Sequence, residues 1–182
     1  RRPVDVAALV AAAWERVPAA PFEIPAETTR APALLEDEDE LVALLLADDP
    51  AAALDAMVAG LGAGASPVAL AEAVVSAATL RVLRFGTANE LADWDTVHHT
   101  LVYADSVAEG LRRAPSRELF RGVLDGVAAV YLDRFLNVPP ARQPVLAGAA
   151  REPRVVGAAL LASYDGRAAV DEATRLAHEH LQ

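Results

Sequence analysis

The sequence predicts an all-α protein, a single-domain bundle of about seven or eight helices with an amino-terminal strap helix. Three observations lead there. Hydrophobic residues make up 54% of the 182 residues, ample for one continuous core. Aromatic residues are only 5%, so that core must be built from Ala, Leu and Val, which suits closely packed helices better than strands that favour β-branched and aromatic side chains. Apolar residues also recur at helical spacing between Pro and Gly punctuation.

The first apolar pattern, from about Val4 to Val17, sets Val6, Leu9, Val10, Ala13 and Trp14 on one face before Pro18, Pro21 and Pro25 break it. Residues 1–32 thus read as an amino-terminal helix and a Pro-rich connector, and residues 33–182 as the bundle domain. The run Glu36-Asp37-Glu38-Asp39-Glu40 precedes LVALLLA, placing negative charge at the positive end of a helix dipole. A solvated helix start is the expected role, with a divalent-cation site as the lesser alternative. Asp49-Pro50 and Ser66-Pro67 each look like an N-cap followed by Pro at the first helical position, opening helices at about 50–59 and 67–85. Gly60, Gly62 and Gly64 form the turn between them; they neither follow a strand nor precede the Lys-Ser/Thr pair of a phosphate loop.

The segment 67–85 is apolar nearly all round, which marks a central helix. Thr87 and Glu90 form a T-x-x-E capping box for a helix over about 88–113. Ser116 opens a further helix to about 137, stopped by Pro139-Pro140. Helices near 154–164 and 168–181, split by Asp165-Gly166, complete the bundle, with 67–85, 88–113 and 116–137 expected at its centre. No internal repeat is apparent.

A net charge of -10 and a pI near 4.8 oppose binding to nucleic acid or to an anionic membrane surface. All 16 basic residues are Arg, a bias that fits a GC-rich coding sequence and receives no functional weight. The absence of cysteine excludes a disulfide scaffold, a thiolate nucleophile and thiolate-held zinc or iron–sulfur sites within these residues. No apolar run reaches the roughly 18 to 20 residues of a membrane span, and no signal-peptide core is visible. A cytoplasmic location is expected. The chain begins Arg1-Arg2 without Met, as a piece of a longer protein would.

The helix around residues 88–113 holds the candidate chemistry. At 100° per residue, Trp94, Val97, Leu101, Ala104, Ala108 and Leu111 share an apolar side, while Asp95, His98, Asp105 and Glu109 gather on the other. Asp95 lies three residues before His98 and four before His99, the spacing by which helical bundles assemble metal sites from facing helices. Further ligands would come from Glu72, Asp125, Tyr131, Asp133, or one of His178 and His180. Three roles stay open for the histidines: a core hydrogen bond to a carboxylate, a metal or haem ligand, or an acid–base group. Tyr103, Asp105, His98 and Tyr131 are the candidate cofactor-contacting residues. A triad of Ser106, His99 and Asp105 is disfavoured, because Ser106 is mid-helix and lacks a strained nucleophile turn.

The residues RVLRFGTANELADWDTVHHTLVYADS, Arg81 to Ser106, and YLDRFLNVPPAR, Tyr131 to Arg142, resemble a helical domain of bacterial proteins that also carry a Rieske-type iron–sulfur domain. That domain is in turn distantly similar to questin-oxidase-like proteins. The resemblance rests on a D-W-D-x-x-x-H-T string and implies an oxidoreductase setting with an iron–sulfur partner, with Asp95 and His99 as the pair to watch. The chain departs from it in containing no Rieske ligands. The leading expectation is a redox-associated domain that holds a cofactor, with iron or haem as candidates, or a small apolar molecule between its central helices. In that reading Asp95, His98 and His99 are metal ligands, or Asp95 and His99 a proton-transfer pair. The alternative is a non-catalytic module that forms homo-oligomers or docks a partner.

Overall fold

The computed structural model describes residues 4–19, 22, 38–86, 88–137, 140–141, 158–159 and 176. Six α-helices and no strand occur among them, so the fold is all-α: α1 (Val6–Glu15), α2 (Glu38–Leu45), α3 (Pro50–Gly62), α4 (Pro67–Leu83), α5 (Leu91–Arg113) and α6 (Arg117–Asp133), the last running into a 3-10 turn at Arg134–Leu136. The count is lower than seven or eight because the helices expected near 154–164 and 168–181 lie almost wholly outside the described residues, as does most of the connector between α1 and α2. Contacts divide the chain into two compact units, Arg1–Ala141 and Arg142–Gln182. All six helices belong to the first, and in the second residues 158–159 and 176 are helical.

The helix starts follow from local chemistry. Asp5, Asp49 and Ser116 accept from the backbone N–H three residues on, at 3.0, 3.0 and 3.1 Å, and each satisfies a donor the first turn leaves free. Ser66 occupies the cap position of α4 without a side-chain capping bond, so Pro67 at the first helical position does the work there. The turn after α3 is shorter than the sequence suggests, since Gly60 and Gly62 are helical. Of these three glycines only Gly64 takes a positive φ, +93°. Its N–H bonds Leu61 O at 3.0 Å and the Ala65 N–H bonds Gly60 O at 2.9 Å, the paired closure that a left-handed residue allows at a helix end.

Two helices are central. α4 packs against α2, α3, α5 and α6, and α6 against α1, α3, α4 and α5. Nine residues of α6 are buried, including Phe120, Val123, Leu124 and Val127. α5 packs along both of them, as expected, but through a stripe of Val97, Thr100, Ala104, Ala108 and Leu111, so its opposite side forms a flank. α1 is the strap, packed on α3 and α6. Arg117 at the start of α6 secures it, donating to Trp14 O at 3.0 Å and Val17 O at 3.3 Å, with its guanidinium 3.7 Å from the centre of the Trp14 ring.

α5 begins at Leu91, not near Ala88, with Glu90 as its cap and no capping bond from that side chain; Thr87 lies outside the described residues. The reason is tertiary. Gly86 N donates to Asn137 Oδ1 at 2.9 Å and Asn89 Nδ2 to the same oxygen at 3.4 Å, so the stretch between α4 and α5 is committed to the chain beyond α6.

Candidate functional site

Among the described residues α5 packs mainly on α4 and α6, and its outer side meets water. Asp95, His98, His99 and Asp105 are all exposed there. His98 stacks at a tilt on Trp94, ring centres 5.8 Å apart, and Trp94 meets the edge of buried Phe85 at 4.8 Å. Tyr103 lies over α6 where a β-carbon on Gly122 would come within 3.2 Å of its hydroxyl. Burial, followed by the charge of Asp125, raises its pKa. Glu109 pairs with Arg112 and Arg113 at 3.0 and 2.7 Å, and Arg112 also reaches Glu72 at 2.8 Å.

A different set of polar residues converges where α4 ends, α5 begins and α6 gives way to the 3-10 turn. Arg81, Arg84, Arg134, Phe135, Asn137 and Pro140 line a pocket of about 330 Å³ there. Asn137 is buried and holds its rim, donating to Arg84 O at 2.6 Å while accepting from Gly86 N. The Ala141 N–H also reaches Arg84 O, at 2.8 Å. The carbonyl that ends α4 is therefore satisfied without any basic side chain.

The three guanidinium groups are not equivalent. Arg134 is ion-paired with Asp48 and lies 4.3 and 4.4 Å from the ring centres of Tyr131 and Phe135. Arg81 gives Nε to Val130 O at 3.1 Å and Nη2 to Leu46 O at 3.0 Å, which binds the ends of α2, α4 and α6 together and leaves its remaining edge open. Arg84 has no ion pair or side-chain hydrogen bond among the described residues. Burial lowers the Arg81 pKa, the charge of Arg84 lowers it further, and Asp133 opposes both. Asp133 itself is 3% exposed, with Oδ2 lacking any hydrogen-bond partner. Burial raises its pKa, against the opposing effects of the Thr100 hydrogen bond and the Arg81 charge.

Of the residues singled out from sequence, Tyr131 lies beside this pocket, buried under Arg134 and edge-on to Phe135 at 5.8 Å. Asp95, His98, His99, Tyr103 and Asp105 line neither it nor the grooves between α2 and α4 and between α1 and α6, of about 320 and 250 Å³. Among the described residues no three His, Cys, Asp or Glu side chains come together as a metal site requires; His178 and His180 fall outside those residues. Sequence reasoning missed Arg81, Arg84, Arg134 and Asn137. The available signal was Arg81 and Arg84, three apart at the end of an otherwise apolar helix. Comparison of the chain with family models, with curated proteins and with solved structures finds no match in any of the three.

Proposed function

We propose that this protein is a ligand-binding helical domain that recognises a small anion in the pocket between Arg81, Arg84 and Arg134. The observation that supports it is the guanidinium of Arg84, which has no ion pair or side-chain hydrogen bond among the described residues, beside the half-buried one of Arg81. Two guanidinium charges held side by side repel each other, and an anion between them relieves that repulsion. The usual alternative, that basic side chains end a helix by bonding its last carbonyls, has less to explain here. Asn137 and Ala141 already serve Arg84 O.

Donor geometry favours this reading over a metal-centred redox domain working with a Rieske-type partner. Asp95, His98 and His99 are exposed on the flank of α5, and no third ligand joins them among the described residues. Thermal melting at constant ionic strength, across sodium salts of organic anions, tests the proposal. A bound anion at about a hundred times its Kd stabilises by roughly 2.7 kcal/mol, so the melting temperature of the wild type rises by several degrees. Arg84→Gln is expected to remove that rise without lowering the unliganded melting temperature. Equal shifts in both proteins would show that Arg84 takes no part.

A further inference from the structure

We infer that the ligand is a monocarboxylate with a compact apolar body, its carboxylate held by Arg84 and the open edge of Arg81 and its body resting on Phe135 and Pro140. The inference rests on the anion-binding reading above and narrows it by charge, shape and depth.

Charge comes first. Arg134 is paired with Asp48, and Arg81 has Asp133 close by, which leaves Arg84, of the three arginines that line the pocket, without a counter-charge among the described residues. The pocket also lies where α2, α4 and α6 all end, since Arg81 bonds Leu46 O and Val130 O from its place near the end of α4. Helix ends of this polarity repel negative charge, and phosphate groups are bound characteristically at the opposite ends. One negative charge balances Arg84, whereas a second would face three helix carboxyl ends without compensation.

Shape agrees with charge. A guanidinium presents parallel N–H bonds that match the two oxygens of a carboxylate in one plane. Nε and one Nη2 bond of Arg81 are already engaged with carbonyls, so it approaches a ligand edge-on through Nη1, while Arg84 keeps its whole fork. Beyond the guanidinium groups the wall is apolar. Phe135 is 59% exposed although large and aromatic, and it is held in place by its edge contact with Tyr131 and by Arg134 above it. A side chain so placed offers a ring face to an apolar ligand body. The volume of about 330 Å³ is at the small end of the roughly 300–1,000 Å³ of ligand pockets, which suits a short-chain or single-ring acid.

Calorimetric titration with benzoate, phenyl phosphate, acetate and benzyl alcohol separates the elements of the proposal. Benzoate is expected to bind most tightly, with acetate weaker for want of a body and benzyl alcohol weaker for want of a charge. Arg84→Gln should weaken benzoate by about tenfold to a hundredfold, the worth of a charge-assisted pair. Phe135→Ala should weaken benzoate and leave acetate unchanged. Circular dichroism melts of both variants establish that they fold. Phenyl phosphate binding as tightly as benzoate, with dependence on Arg84 retained, would overturn the carboxylate assignment and leave the anion pocket standing. Benzoate and phenyl phosphate binding equally to wild type and Arg84→Gln, or not at all, would overturn both.

Discussion

The flank of α5 and the end of the bundle both hold charged side chains, but water reaches them differently. On the flank, Asp95, His98, His99 and Asp105 are exposed, so each can be solvated separately and none need adjust to another. At the end, Arg81 is half-buried and fixed by two carbonyls, Asp133 keeps an oxygen with no partner, and Arg84 faces Arg81 without a counter-charge among the described residues. A polar group costs little where it is wet and much where it is enclosed. The arrangement that costs stability is therefore the one that needs a functional reason, and it is at the bundle end.

Four variants break or sharpen that contrast. Asn137→Ala has the largest expected effect, because it strands Gly86 N and one of the bonds to Arg84 O in a buried setting. At roughly 1–3 kcal/mol for each group left unsatisfied, the loss is about 3 kcal/mol, read as a fall in the thermal midpoint. A loss under about 1 kcal/mol would mean the rim is not held by this side chain.

Asp133→Asn is expected to act in the opposite direction. Burial raises the Asp133 pKa from its usual 3.8, so between the unfolded and folded values the native state holds the proton more readily than the unfolded chain does. Stability then falls as pH rises through that window and is regained on acidification. Above the folded value the penalty is fully present, and removing the charge should stabilise by about 1 kcal/mol there, the lower end of what an unpaired buried group costs. Melting curves between pH 4 and 7 should show a smaller pH slope in the variant than in the wild type. An unchanged slope would assign the acid dependence to other groups.

Replacing His98 and His99 together by Ala should change stability by no more than about 0.5 kcal/mol, as for exposed positions generally, and leave benzoate binding intact. Metal analysis of the same pair provides the counter-test: stoichiometric iron in the wild type that is lost in the double variant would restore the flank as the working region. Ser66→Ala should have the smallest effect, since Ser66 makes no capping bond; a loss near the roughly 1 kcal/mol of an N-cap would show a bond that the structure does not contain.

The fold was legible where local chemistry decides it. Asp49 and Ser116 cap as their sequence context predicts, and the apolar run of α4 marks a helix enclosed on several sides. The start of α5 was not, because Gly86 and Asn89 bond an Asn some 51 and 48 residues further on, and no local capping rule reaches that far. The same distance hid the pocket. Arg81 and Arg84 are neighbours in any helical projection, yet nothing in the pattern brings Arg134 and Phe135 to them, and an all-Arg basic complement made each arginine look unremarkable. Asp95 and His98 stood out because they share a helix face, but the exposure of that face depends on which helices pack against α5.

The clamp on α1 bears on the order in which the chain can be made. Trp14 O waits for a donor on Arg117, 103 residues later. At the roughly 5–20 residues per second of protein synthesis, α1 spends on the order of 5–20 s before the residue that secures it exists. Throughout that interval Val10 and Ala13, which are buried in the finished protein, lack the α6 surface that covers them. α1 is thus made long before it is fastened, and a nascent chain halted before Arg117 would present that apolar stripe to whatever attends the ribosome.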